Sequence, residues 1–500
     1  MPYDVIVVGA GSAGCVAAAE LHRRGVGRVL VLEAGLSDLH PFVAMPMGLT
    51  WLMGSKRDWA LETVPMREAG MRRVKAPRGK MIGGSGSINS MVWFRGRASD
   101  FDAWGVPGWS YGDVEPVFEA VEAELTPHKL ENVHPLTAGL EAMLPTNSGQ
   151  PTPDRESAGV FSHNMKGGRR NSSARAFLKK YEIHVTTGVQ VDRLTWRDGK
   201  VAGVKLADGT KIDALKGVVL CAGSLMSPAI LMRSGIGDPE ELTKHGIKLR
   251  AEAPEVGQNL HDHPAFGIHF EGAGTGYGLE PAQWVNWARS PFDLLARKGP
   301  LASPTVEGGA FFNARGDGAE PDVQSHFIPF HLDHQGKKYA LKSGYFADVC
   351  VCQPKSRGVL RLGSADPKEP PVFDLGLFRE EEDLDTLTAG VERLRSLLAE
   401  ADFGARRGKE VAPGADVTGD ALKERIRNGA GTAYHPVGTC RMGEDESAVV
   451  TPRLAVRGIE GAWVADASIM PRVTSANTNA PSMMIGWKGA EMIAEDMGVV

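Results

Sequence analysis

The sequence predicts an α/β (α+β) protein in which a parallel sheet wrapped by helices is joined to a second domain built on an antiparallel sheet with helices. Three observations predict it. The chain opens on the apolar run Val5-Ile6-Val7-Val8, which stops at Gly9 and passes into a small-residue helical pattern from Cys15 to Leu21. A strand buried on both faces reads this way before its crossover helix. From about Phe266 to Arg361 apolar and polar positions alternate instead, as in a half-exposed antiparallel sheet. Finally, 500 residues, at roughly 150 per domain, give two to four domain-sized units with enough core to shape a cleft.

Composition narrows the function classes. A hydrophobic share of 42% and a charged share of 23% are ordinary for a globular chain and exclude disorder over most of the length. The net charge of −5, with no long run of one sign, gives no electrostatic grip on a phosphate backbone, so no nucleic-acid partner is expected. Glycine, at 61 residues, is well above the usual ~7% and points to tight turns and close backbone approaches to a ligand. The five cysteines, Cys15, Cys221, Cys350, Cys352 and Cys440, form no paired framework, which favours a reducing, cytoplasmic setting. The first apolar run is only four residues long and no uncharged stretch of 18 apolar residues follows, so no signal peptide or transmembrane span is expected. Membrane contact, if any, is peripheral, at the inner membrane.

Gly9-Ala10-Gly11-Ser12-Ala13-Gly14 follows the first strand at once, and a second apolar strand, Arg28 to Leu32, ends at Glu33, 19 residues beyond Gly14. Strand, GxGxxG, helix and spaced acid together form the Rossmann dinucleotide fingerprint. Gly9 makes the tight turn, Gly11 lets the backbone approach a pyrophosphate, Gly14 lets helix and strand close up, and the helix start at Ser12 and Ala13 faces the anion. Glu33, next to Ala34, is placed for a ribose hydroxyl, which favours FAD or NAD.

A second glycine loop, Gly83-Gly84-Ser85-Gly86-Ser87, follows the basic Arg78-Gly79-Lys80 and leads into Ile88-Asn89-Ser90-Met91-Val92. It reads as a second anion-binding nest for the same pyrophosphate or the edge of a flavin. Ala123 to Pro153 reads as a surface excursion. Strands resume at Ile183 to Leu194, Val201 to Leu206 and Gly217 to Gly223, with a helix from Pro228 to Ser234 and a long amphipathic helix from Glu381 to Leu398. A last strand, Ala462 to Ala467, precedes a final helix from Met483 to Met497. The expected division is 1–150 and 151–260 for the nucleotide domain, 261–425 mainly for a substrate domain, and 426–500 for a return to the first.

The motifs Gly9 to Gly14; Pro77-Arg78-Gly79-Lys80 with Gly83 to Asn89; Gly223-Ser224-Leu225-Met226-Ser227-Pro228 with Ser234-Gly235-Ile236-Gly237; Pro354-Lys355-Ser356-Arg357-Gly358; Tyr434-His435-Pro436 to Gly443; and Asp466-Ala467 to Pro471 through Asn477-Thr478-Asn479 run in order along nearly the whole chain. In them the chain resembles the glucose-methanol-choline (GMC) family of FAD oxidoreductases, and in Trp59 and His326-Phe327-Ile328-Pro329 its bacterial alkanol and choline dehydrogenase branch. The resemblance implies FAD as cofactor, a small-molecule alcohol as substrate, and an electron acceptor that is a quinone, a dye or O2. By position it implies FAD contacts at Trp59, Gly83, Asn89, Ser90, Met91, Val92, Val191, Tyr434, Asp466 and Ala467. The stretch between about Leu125 and Asn171 is shorter than in family members. Ile88 stands where some choline oxidases carry a flavin-linking histidine, so the FAD is expected to be non-covalent.

Oxidising an alcohol requires loss of the hydroxyl proton and departure of a hydride from the same carbon. His435 is the expected base, because imidazole titrates near neutrality and Pro436 and Gly438 fix a non-helical placement. Asn479, 44 residues later, offers an amide donor to an alkoxide, and the resemblance places both residues before the flavin. Glu307 sits where choline-oxidising relatives have an acid, but reads equally as a surface carboxylate. His261-Asp262-His263 and the trio His326, His331 and His334 lack thiolate help, and no metal is expected. The leading function is FAD-dependent oxidation of a primary alcohol to the aldehyde. The alternatives are an alcohol oxidase using O2, and a hydroxynitrile lyase on the same fold.

Overall fold

In the computed structural model, which describes residues 2–144, 150–331 and 342–499, the opening apolar run is the central strand of a parallel sheet. β1 (Tyr3–Val8) pairs with β2 (Val29–Glu33) from Val5 opposite Val29 to Val8 opposite Leu32, and α1 (Ser12–Arg23) makes the crossover. The far edge of β2 takes β3 (His184–Thr187). A meander of β4 (Val191–Arg197), β5 (Lys200–Leu206) and β6 (Lys211–Leu220) then returns the chain to β1. The first part of β6 is antiparallel to β5, while its end, Val218-Val219-Leu220, lies parallel between β1 and the late strand Ala462–Val464. These core segments are fully buried, which is why they read as unbroken apolar runs.

The second sheet is antiparallel. Its central strands are β7 (Pro264–Glu271), β8 (Gly308–Phe312), β9 (Val323–Ile328) and β10 (Gly344–Val351), in the order β7-β10-β9-β8. Lys409–Ala412 adds to the β7 edge and Ser157–Val160 to the β8 edge. Ser157–Val160 lies in the stretch assigned from sequence to the nucleotide domain, so that boundary shifts. The sheet is also not half-exposed: β8 and β9 are buried throughout. Between β7 and β8 lies α2 (Trp284–Leu295), and after β10 comes α3 (Glu381–Glu400), which covers one sheet face, with Gly390 against Val323 and Val349. The other face turns to the nucleotide domain. The alternation in sequence therefore separates core-facing from cavity-facing positions.

The excursion expected from Ala123 to Pro153 is more integrated than its polar text implies. A helix, Tyr111–Leu125, runs into it, and Leu136, Leu140 and Met143 are buried. The ends of the shortened stretch are tied together, the Asn171 amide donating to the Leu125 carbonyl at 2.9 Å.

The final helix, α4 (Asn479–Asp496), begins earlier than the apolar pattern indicated and packs directly on α1. No helix among the described residues is long and apolar enough to cross a membrane. All five cysteines are free and buried.

Gly14 shows how tightly the first unit closes. A Cβ there would lie 2.0 Å from the Gly9 carbonyl oxygen and 3.0 Å from the Cys221 Cβ. Alanine is the better helix former by up to ~1 kcal/mol, but backbone cannot yield as a side chain can, so sterics win. Gly14→Ala is expected to lower the stability of the protein by about 1–3 kcal/mol in urea unfolding. An unchanged or raised midpoint would show that propensity dominates.

Candidate active site

A cavity of about 1610 Å³ lies between the two sheets. That exceeds the upper end, about 1,000 Å³, of pockets holding one drug-sized ligand. Its floor is made where the two glycine loops meet backbone to backbone: a Cβ on Gly84 would sit 2.7 Å from the Gly11 Cα. Gly9, Gly11, Ser12, Ala13, Glu33, Ala34, Trp59, Asn89, Ser90, Met91, Val92, Val191, Tyr434, Asp466 and Ala467 all line it. Gly14 and Gly83 do not. Gly14 faces the inside of the α1–β1 turn, and Gly83 ties the second loop to the first by donating its N–H to the Ala10 carbonyl at 2.7 Å.

Glu33 is buried and already accepts the Ala10 and Gly35 N–H groups at 2.9 and 2.8 Å. Burial pushes its carboxyl up to about 7 against the pull of those donors and Lys80. Asp466 similarly clamps the wall, accepting from Gly223 N–H, the Ser227 hydroxyl and Ser468 N–H. Lys80 stands over the Trp59 ring, 4.1 Å from its centre.

The floor presents donors without partners. The Asn479 Nδ2 and the Ser224 Oγ are buried, line the cavity and find no hydrogen-bond partner among the described residues. Buried polar groups are otherwise almost always paired, so these suit the oxygens of a bound anion at the N-terminus of α1. The residues present fit a dinucleotide pyrophosphate.

At the other end of the cavity is His435. Its backbone N–H donates to Asp262 at 2.8 Å, and its Nδ1 lies 3.0 Å from the Nδ1 of His263. The His263 Nε2 faces the Thr474 carbonyl at 3.0 Å, and a carbonyl only accepts, so His263 carries its proton on Nε2. His263 therefore accepts at Nδ1, His435 donates there, and the His435 Nε2 keeps its lone pair. Facing that atom at 3.3 Å is the amide nitrogen of Asn477. The same amide nitrogen lies 3.2 Å from the His326 Nε2, while its oxygen accepts from the Gln324 amide at 3.0 Å. Asp348 holds His326 from behind, accepting its Nδ1–H at 3.0 Å and its backbone N–H at 2.9 Å.

Burial, then the neighbouring His263 and His326, hold His435 well below the usual imidazole range. Burial also pulls on His326, but Asp348 outweighs it and its affinity for a proton is raised. Two imidazoles touching one amide are thus pushed apart in basicity, the arrangement that separates a neutral base from its neighbours. The Tyr434 backbone, at φ 67°, turns the chain so that Tyr434 and His435 both line the cavity, and Arg78 braces it by donating to the Tyr434 carbonyl at 2.6 Å.

The expected pairing of His435 with Asn479 is not what the structure brings together. Asn479 is the first residue of α4 and its Oδ1 accepts from the Ser12 hydroxyl at 2.7 Å, at the cavity floor. Asn477, two residues earlier and outside the helix, reaches His435 instead. Glu307 is neither a surface carboxylate nor a wall of the cavity. It is buried and accepts from the His134 N–H and the Thr137 hydroxyl, both at 2.8 Å. Asn477, Gln324 and Asp348 were not singled out from sequence, although Gln324 and His326 stand two apart in a strand and so share a face. Among the described residues no group of three or more His, Cys, Asp or Glu is arranged to hold a metal ion, and His334 lies outside them.

Comparison with known proteins places the chain in a family. The N-terminal GMC oxidoreductase family model matches residues 3–265 and the C-terminal one residues 354–486. An alcohol dehydrogenase [acceptor] of Pseudomonas putida is 36% identical over 98% of this chain and 95% of its own. An oxygen-dependent choline dehydrogenase of Rhizobium johnstonii is 37% identical over 99% of this chain and 96% of its own. Among solved structures, pyridoxine 4-oxidase from Mesorbium loti superposes with a TM-score of 0.87 over 98% of both chains at 28% identity. Matched in both halves and over nearly its full length, the chain belongs to the GMC oxidoreductase family.

Proposed function

We propose that the protein is an FAD-dependent dehydrogenase of uncharged primary alcohols, with His435 as base and Asn477 as the alkoxide-stabilising donor. The observation that carries the reading is the pair of cavity-lining atoms facing each other across 3.3 Å, the lone pair of the His435 Nε2 and an N–H of Asn477. A hydroxyl oxygen that bridges them from the cavity, in place of their direct contact, donates to the first and accepts from the second, so both partners suit the anion that forms. FAD, when bound, supplies the electron sink that takes the hydride from the carbinol carbon. Gly11, Ser12 and Asn479 would hold its pyrophosphate, and Glu33 its ribose. Family membership and the names of the relatives support the class of reaction; the placement of Asn477 supports the division of labour.

The substrate end supports the uncharged class. Val92, Val306, Ile328 and Phe346 line the cavity around the His435–Asn477 pair. The nearest cavity carboxylate, Asp348, is occupied by His326, and Glu307 is turned away. A quaternary ammonium group would enter this wall without a free counter-ion among the described residues, at a desolvation cost that an alkyl group does not carry.

Anaerobic addition of alcohols to the flavin-loaded protein tests the reading: primary alcohols should bleach the flavin, whereas cyanohydrin cleavage without bleaching would make it a lyase. Repeating the reaction in air, with and without a dye acceptor, separates dehydrogenase from oxidase. His435→Ala is expected to slow flavin reduction at least ~100-fold. Because the base must be neutral and its affinity for a proton is lowered, kcat/KM should fall only as the pH drops below 6.5. Asn477→Ala should slow reduction by roughly 10- to 1,000-fold, the worth of one donor to a developing oxyanion. Asn479→Ala should instead lose flavin on dilution while the loaded fraction is reduced at a rate within about 3-fold of wild type, since it touches no reacting atom. Equal rate losses in Asn477→Ala and Asn479→Ala would remove the distinction.

Choline and its neutral isostere 3,3-dimethylbutan-1-ol differ only in charge. The isostere is expected to have the higher kcat/KM by at least ~10-fold, the scale of about 1.4 kcal/mol of unpaired-charge cost. A preference for choline would refute the uncharged class. Finally, Ile88 lines the cavity with no nucleophilic atom. Acid precipitation should therefore leave the yellow colour in the supernatant, and colour in the pellet would show a covalent bond elsewhere.

A further inference from the structure

Among the described residues three arginines are buried, Arg97, Arg170 and Arg233. Arg97 lies 3.3 Å from a carboxylate oxygen of Glu320, and Arg233 lies 3.3 Å from one of Asp192. Arg170, only 2% exposed, has no carboxylate partner among the described residues. Its Nε donates to the Val43 carbonyl at 3.1 Å, and its Nη1 donates to the Gly86 carbonyl at 3.1 Å and to the Asn89 Oδ1 at 2.7 Å. Its Nη2 is buried and finds no partner there. These acceptors are all neutral, so a full positive charge lies inside the protein without a negative one beside it. Burial lowers the affinity of Arg170 for a proton, and no acidic neighbour offsets the effect. Buried charges are ordinarily paired, because neutral hydrogen bonds do not make up for lost hydration.

A hairpin puts the side chain there. Met165-Lys166 pairs with Arg169-Arg170 about the turn Gly167-Gly168, and alternation along the second strand leaves Arg169 exposed and Arg170 buried. Asn164 and Asn171 close the hairpin, the Asn171 N–H and the Asn164 amide each donating to the other's carbonyl at 3.0 Å. The guanidinium then stands directly behind the second glycine loop. Gly86 lines the cavity, and a Cβ on it would lie 2.6 Å from the Ser12 Oγ and 3.3 Å from the Asn479 Oδ1, the two side chains that meet at the floor. By holding the Gly86 carbonyl, Arg170 sets its charge one residue behind that floor. The Asn89 Oδ1 also accepts the Met91 N–H at 3.0 Å, so the oxygen is fully used and the amide N–H groups are the polar edge that Asn89 offers the cavity.

We propose, on the assignment of the cavity floor to the cofactor's pyrophosphate, that Arg170 is the buried counter-charge of that pyrophosphate. It is a positioning residue, acting from behind through the Gly86 peptide and Asn89. The floor itself offers partial charges, from the N-terminus of α1 and the N–H groups of the glycine loops. The cavity carboxylates Glu33 and Asp466 are committed to backbone and hydroxyl donors and leave Arg170 unpaired. A phosphate anion on the floor supplies the charge that the protein withholds, and salt screens little of an attraction across buried peptide. Cofactor and cation therefore stabilise each other.

The test is the flavin retained by the holoenzyme on dilution, read as fluorescence of the filtrate at pH 7. Arg170→Gln keeps a planar donor and loses the charge, and should bind FAD at least ~10-fold more weakly. Arg170→Lys loses the fork and keeps the charge, and should stay within about 3-fold of wild type. With excess FAD the Arg170→Gln protein should reload, and its loaded fraction should be reduced by alcohol at a rate within about 3-fold of wild type, since Arg170 does not line the cavity. Wild-type retention by Arg170→Gln overturns the proposal. So does an Arg170→Lys protein as empty as Arg170→Gln, or an Arg170→Gln protein that excess FAD cannot reload, because either makes the side chain a structural prop. Asn479→Ala separates the two levels. If it loses flavin and Arg170→Gln does not, the floor assignment stands and the counter-charge alone falls; if Asn479→Ala keeps its flavin, the floor assignment fails and the counter-charge with it.

Discussion

The close contact of α4 with α1 is the constraint on which the rest of the molecule depends. A Cβ on Gly486 would lie 2.3 Å from the Ala13 carbonyl oxygen, so the two helices touch backbone to backbone. The small residues of α1 permit close approach around most of its girth, since Ala17, Ala18 and Ala19 are all fully buried. With the helices fixed at that distance, their first turns converge, and Ser12 and Asn479, separated by 467 positions, share a hydrogen bond. The cavity floor at Ser12 and Asn479 and the wall at Asn477 are thereby set by one packing contact. Asn477 sits two residues ahead of the first helical turn, and its position follows from where α4 starts.

From Asn477 outward, polarity is ordered in both directions. The Thr474 carbonyl orients His263, His263 orients His435, and Gln324 fixes the amide so that its nitrogen lies between the two imidazoles. The Thr474 carbonyl, which can only accept, sets the sense of the first link, and in a buried network such links reinforce one another. Gln324, a strand residue with no exposure, thus reaches the chemistry through another side chain, as does Asp348 through His326. The two imidazoles differ because one has a carboxylate behind it and the other a second imidazole.

The parallel half of the fold was legible because its signals are local. An unbroken apolar run, a glycine turn and a small-residue helix each report on neighbours within a few positions. The antiparallel half was legible in period but not in burial, since alternation states that two faces differ and not what covers them. That Asn477, and not Asn479, lies beside His435 was hidden for a related reason. Spacing along the chain cannot tell which of two amides beside a helix start points up and which down, because the backbone leaves the helical path between them. Glu307 was missed because the loop ahead of β8 turns it onto the His134 and Thr137 donors and away from the cavity that Thr305 and Val306 line. Asp348 could not be found from sequence, because its partner lies on an adjacent strand fixed only by register.

Alternation along β9 and β10 makes the second sheet a surface on which cavity lining and packing are separately encoded. In β9, Gln324, His326 and Ile328 face the site or its network, while Val323 meets Gly390 of α3. In β10, Phe346 and Asp348 line the cavity, while Val349 meets the same glycine. A substitution at a cavity-facing position changes what the wall accepts without opening a void under α3, whereas its neighbour trades packing for nothing at the site. The cost of introducing a carboxylate likewise depends on which way its side chain turns. At the cavity-facing position 306 it would be solvated by the site and available to a cation. At 307 it needs the His134 and Thr137 donors that this chain provides, and it contributes to structure alone.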